Sequence, residues 1–161
     1  VGCAAGETTA LFLTDDGEVW SWLGAGMEAD YGRPIARAIL GLPRVQRLAC
    51  GWHHTLALTD DRRVYAFGSG TFGQLGLGSS GHCPVPTRVP LPELCDGHVA
   101  DVAAGFSSSY LLTAQGAVYA WGANDSCQLG FPPSIEGVMT ARLVDALSQL
   151  QVAQLSAGMG H

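Results

Sequence analysis

Three segments of this chain align with one another, and internal repetition at a near-constant spacing constrains a fold more than any local pattern does. The first, AAGETTALFLTDDGEVWSW, starts at Ala4; the second, ACGWHHTLALTDDRRVYAF, at Ala49; the third, AAGFSSSYLLTAQGAVYAW, at Ala103. Their anchor glycines are Gly6, Gly51 and Gly105, and a fourth, Gly158, stands just before the last residue, His161. The anchors lie 45, 54 and 53 residues apart. The repetition divides the chain into units of about 1–44, 45–98 and 99–151, with the start of a fourth at 152–161.

Each unit has the same internal order. Three residues after the anchor stand Thr9, His54, Ser108 and His161, all able to hydrogen-bond. A short apolar stretch follows, then a turn at Asp15-Asp16-Gly17, Asp60-Asp61-Arg62 or Ala114-Gln115-Gly116. Such turns between apolar runs predict hairpins. The returning stretch ends on an aromatic residue, Trp22, Phe67 or Trp121, and its period-two alternation predicts a strand. Next comes a glycine-rich bend, 24–32, 68–76 or 122–130, opened in the latter two by Gly68 and Gly122 and closed by Gln74-Leu75-Gly76 and Gln128-Leu129-Gly130. Apolar residues six and three positions before each later anchor (Val45 and Leu48, Val99 and Val102, Val152 and Leu155) predict the strand that enters the next unit.

Four short strands per unit, separated by glycine turns, describe a blade of an all-β propeller. A lone unit has no second surface on which to bury its apolar face, so blades must stack. Both ends of the chain fall within a repeat, which reads as about three blades of a longer ring. An isolated arc would expose unpaired strand edges.

Composition removes several alternatives. Glycine accounts for 22 residues and charged residues for only 14%, which excludes a disordered chain and a coiled coil. All eight basic residues are arginine, so there is no P-loop lysine and no Schiff base. The net charge of −6 and the scattered arginine pairs argue against a nucleic-acid or chromatin surface. No apolar run is long enough for a membrane span. Five cysteines without a CxxC pair fit a reducing intracellular compartment: cytoplasmic, cytoskeletal or nuclear.

ACGWHHTLALTDDRRVYAFGSGTFGQLGLG resembles the repeat of the regulator of chromosome condensation family, and AAGFSSSYLLTAQGAVYAWGANDSCQLG is similar to it; the first unit is a degenerate copy with Leu23 inserted and Asp30-Tyr31 in place of Gln-Leu. The resemblance implies a propeller of about seven such units. It also implies protein partners, among them a small GTPase on which the founding member acts as a guanine-nucleotide exchange factor. Trp52 is similar to tryptophans of a light-sensing relative, but its equivalents here are Glu7 and Phe106, which argues against that use.

Candidate chemistry is weighed against turn and core roles. Asp15-Asp16 and Asp60-Asp61 recur with the repeat and read as turn residues, not an acid–base pair. His54 is expected to bond structurally to backbone of the adjacent blade. His82, Cys83, Cys95 and His98 lack the close pairing of a zinc site, and four prolines make 78–98 read as a stiff surface loop. Gly68 to Gly73 matches GxGxxG, but no helix pattern follows. Residues 138–151 carry partial helical spacing where the repeat predicts a strand and a turn. No catalytic residue, metal or cofactor is expected. The function expected is non-enzymatic display, within a larger protein or assembly, of the 77–98 and 131–151 loops, with His82, Arg88, His98, Phe131 and Arg142 as candidate partner contacts.

Overall fold

The computed structural model describes residues 2–5, 9–23, 35–95 and 97–158. They form three four-stranded antiparallel sheets, each a simple meander. The first holds β1 (Gly2–Ala5), β2 (Thr9–Leu13), β3 (Val19–Leu23) and β4 (Ile35–Ala38). The second holds β5 (Val45–Cys50), β6 (His54–Thr59), β7 (Val64–Ser69) and β8 (His82–Arg88). The third holds β9 (Val99–Ala104), β10 (Ser108–Thr113), β11 (Val118–Ala123) and β12 (Gly137–Leu143), followed by a 3-10 turn at Asp145–Leu147. Repeat positions share one register: Ala10 pairs with Trp22, Thr55 with Phe67 and Ser109 with Trp121.

The hairpins close by one device. The hydroxyls of Thr14, Thr59 and Thr113 accept the backbone N–H four residues on, at Glu18, Arg63 and Ala117. Thr14 and Thr59 also donate to Asp16 and Asp61, so the carboxylates serve the turns. The bond from Thr14 holds the exposed Asp16 carboxyl below its usual range.

Where β7 and β11 leave their hairpins, Gly68 and Gly122 have φ of 106° and 107°. A Cβ there would stand 2.4 Å from the carbonyl oxygens of His53 and Ser107. Only glycine allows that backbone to turn so close to the neighbouring strand.

The middle strands are covered on both faces. Leu56 and Leu58 of β6 pack toward the third sheet with Val64, Leu75, Leu111 and Trp121, while Ala57 packs toward the first with Leu13, Val19 and Val45. The outermost strands β8 and β12 are mostly exposed.

Two expectations change here. The segment 78–98 is not wholly a loop, since His82–Arg88 is the outer strand of its sheet. Pro84 and Pro86 are compatible with it because an edge strand does not need every ladder N–H. Within 138–151 the helical spacing yields only one 3-10 turn, because Val138 and Leu143 are used by β12 and Leu150 lies beyond the turn.

Candidate interaction surface

Strand register sorts the described loops of the second and third sheets to one of two ends. Cys50 pairs with Thr55, His54 with Gly68 and Ser69 with His82, so the anchor loops and the glycine bends share an end. In the second and third sheets this anchor end comprises 51–53, 70–81, 105–107 and 124–136. Val45 pairs with Thr59, Tyr65 with Arg88, Val99 with Thr113 and Tyr119 with Leu143, which puts 60–63, 89–95, 97–98, 114–117 and 144–151 at the opposite end.

A buried hydrogen-bond chain locks the anchor end between the second and third sheets. Ser109 Oγ donates to the Gln74 carbonyl at 2.7 Å, and Trp121 Nε1 donates to the same oxygen at 2.9 Å. The Ser109 hydroxyl hydrogen is therefore used, so His54 Nε2, 2.9 Å away, must be the donor to Ser109 Oγ. The imidazole is the Nε2–H form, and its Nδ1 is buried without a hydrogen-bond partner. Burial pushes the His54 pKa down to about 4, with the Ser108 backbone opposing and His53 assisting. His54 thus bonds the Ser109 side chain of the next blade, with the Ser108 backbone of that blade also acting on its ring.

The Gln side chains shape the bends. Gln74 Oε1 accepts Phe72 N–H and Gln128 Oε1 accepts Ser126 N–H, both at 2.9 Å. Gly76 leaves room for the indole, since a Cβ there would stand 2.7 Å from Trp121 Nε1. At the anchors, a Cβ on Gly51 would stand 2.3 Å from the Gly105 carbonyl oxygen. Asn124, which sequence reasoning passed over, is buried and ties the 131–135 segment. Its Nδ2 donates to the carbonyls of Phe131, Pro132 and Ile135, and its Oδ1 accepts Leu129 N–H. The available signal was an Asn where the second unit has Gly70.

The expected site residues separate. Trp121 is wholly buried, Phe67 is half-buried, and Trp22 is 43% exposed. Gly6 and His161 lie outside the described residues, while Gly158 lies beside Gly105: a Cβ on Gly105 would stand 3.0 Å from the Gly158 carbonyl oxygen. His82 is exposed at the anchor end; Arg88 and His98 are exposed at the opposite end. Phe131 is only 6% exposed and does not offer its ring to a partner. It packs with Leu129 and Val144, and the Arg142 guanidinium lies 4.9 Å over its ring centroid. The five candidate contacts therefore do not form one patch. Cys83 and Cys95 are engaged locally, with Val85 and Thr87 and with the Pro92 carbonyl, and among the described residues no three His, Cys, Asp or Glu side chains converge as a metal site.

The anchor end also carries an open cleft of about 900 Å³ that the sequence did not reveal. Phe72 from one bend, Phe106 from an anchor loop and Met139 from β12 line it, with Ser126, Asp125 and Glu136 at its margin. Phe106 is also in contact with Trp52, ring centroids 4.6 Å apart. The Gly78 N–H donates to the Met139 carbonyl, fixing the second bend against the third sheet.

Three successive four-stranded meanders, packed one against the next, define blades of a β-propeller. The Regulator of chromosome condensation (RCC1) repeat matches residues 61–112 and 115–161, and a second model of that repeat matches 45–74 and 99–128. The chain belongs to the RCC1 repeat family. It is 33% identical over its whole length to the RCC1 domain-containing protein RUG3, mitochondrial, of Arabidopsis thaliana, covering 38% of that protein. Over 80% of the chain it is 35% identical to the human E3 ubiquitin-protein ligase HERC2, covering 3% of it. The fold superposes with a TM-score of 0.83 on yeast RCC1 (Prp20), solved bound to Kap60, at 25% identity over 99% of this chain and 40% of that one. The chain thus spans well under half the length of each.

Proposed function

We propose that this chain is a non-enzymatic display domain that recruits or positions other proteins within a larger protein or assembly. The observation that carries the reading is the anchor end itself. Its loops are held by a buried interblade chain, His54–Ser109–Gln74–Trp121, yet this end presents Phe72 and Phe106 from loops and Met139 from β12 to solvent. A rigid scaffold with projecting apolar loops binds without losing much loop entropy. The blades' presence inside HERC2, a far longer chain, fits use as a module. Cys50, Cys83, Cys95 and Cys127 are free thiols, which fits a reducing intracellular site; among the described residues no helix is long and apolar enough to cross a membrane. The mitochondrial relative is one such setting, beside the cytoplasmic, cytoskeletal and nuclear ones.

A second reading, guanine-nucleotide exchange on a small Ran-like GTPase, is favoured by the superposition on yeast RCC1. One experiment separates them. Proteins that stay bound to the protein containing this chain are identified by mass spectrometry after capture under nucleotide-depleting conditions. Display predicts an assembly indifferent to added GTP or GDP. A small GTPase that leaves on nucleotide addition would establish exchange and overturn passive display.

A further inference from the structure

The charges of the two ends differ in kind. The opposite end carries both signs, several of them paired: Arg44 lies 3.2 Å from Asp60, Arg63 lies 3.3 Å from Asp61, and Arg47 bridges to Asp101 of the next blade at 2.7 Å. The described anchor-end loops of the second and third blades contain no arginine. Their only formal charges are the carboxylates of Asp125 and Glu136. Both border the cleft, and among the described residues neither meets a basic side chain; Asp125 accepts only Gln128 Nε2, at 3.0 Å. The same cleft has an apolar lining, with Phe72 55%, Met139 45% and Phe106 38% exposed.

We propose that this cleft is a docking site for an extended segment of a partner protein that carries an apolar side chain flanked by arginine or lysine. The inference rests on the display reading and specifies its ligand. Phe72, Phe106 and Met139 together offer aromatic and thioether surface to one large apolar side chain, a combination suited to varied shapes. Asp125 and Glu136 pair with the flanking cations, giving orientation and a faster encounter. The same carboxylates repel nucleic-acid phosphates, anionic lipid surfaces and acidic peptides. The cleft is shaped by the interblade contacts at Gly73 and Gly78 against Met139, so it exists only where two blades meet.

Fluorescence anisotropy tests this with the protein that contains this chain. The probes are short labelled peptides with a central Leu, Met or Phe flanked by Arg or Lys, and matched peptides flanked by Asp or Glu. Basic-flanked peptides should bind more tightly than acidic-flanked ones, and added salt should weaken them. Asp125→Asn with Glu136→Gln should weaken binding about tenfold, and so should Phe72→Ser at the exposed bend. Asp125→Asn keeps the oxygen that accepts from Gln128, so the bend should retain its shape, and unchanged hydrogen-exchange protection of β10 and β11 verifies it. Equal binding of both peptide sets, no binding of either, or affinity unchanged by all three substitutions overturns the proposal. Retention of the captured partners by these variants would locate that failure in the cleft and leave the display reading standing.

Discussion

Replacing Ser109 by Ala removes one oxygen from the middle of the interblade chain, and its cost follows from what is left behind. The His54 Nε2–H loses its acceptor while the ring remains 3% exposed, with Nδ1 already without a partner. An orphaned buried donor costs about 1–3 kcal/mol, and the lost bond to the Gln74 carbonyl about 1 kcal/mol. That carbonyl keeps Trp121 Nε1, which limits the second contribution. The sum is about 2–4 kcal/mol. His54→Thr, which installs the residue of the first unit, removes the group that Ser109→Ala strands. The double variant should therefore be more stable than additivity predicts, by about 1–2 kcal/mol. Denaturant unfolding gives the energies, and hydrogen exchange should show the loss at the second–third blade junction. A Ser109→Ala cost below about 0.5 kcal/mol, or strict additivity with His54→Thr, would refute the reasoning.

His54 also sets a pH dependence. With its pKa lowered from 6.5 to about 4, the folded state binds fewer protons than the unfolded state across that window. Its stabilising effect is whole above pH 6.5 and falls by about 3 kcal/mol as the pH drops through 4; unfolding midpoints against pH should show a slope that His54→Thr reduces. Cys127 has φ of 55° where the second blade has Gly73. Cys127→Gly should stabilise by about 1 kcal/mol, read as a raised denaturant midpoint at unchanged slope. Asn124→Ala should cost about 2–4 kcal/mol, and limited proteolysis should find its earliest new cuts within 131–136.

What was legible in the sequence follows burial. Leu13, Leu58 and Leu112, with Val19, Val64 and Val118, are buried in all three sheets, so their identities recur and declare the inner strands and hairpins. The outer strand β8 has solvent on most of its surface and two prolines, so it carries no alternation and reads as loop. The adjacent blade as the partner of His54 was legible, but the Ser109 hydroxyl was not, because a histidine-to-serine bond joins different units and leaves no local spacing. The cleft was illegible for a related reason. Phe72, Phe106, Asp125, Glu136 and Met139 come from separate segments, and the repeat does not preserve their types: Ser126 stands in the third unit where the second has Phe72. Phe131 was misjudged because a loop phenylalanine beside two prolines looks exposed, whereas its ring turns under Arg142.

The central claim is that a rigid propeller binds partners through its loops. Its most direct test measures the affinity of a captured partner for two variants of the protein. One has 77–81 and 131–136 replaced by glycine–serine linkers at the anchor end; the other has 89–98 and 144–151 replaced at the opposite end. With protection of β6, β10 and β11 preserved, the account predicts that the anchor-end replacement weakens binding at least about tenfold while the other leaves it nearly unchanged. Affinity unchanged by either replacement would contradict it.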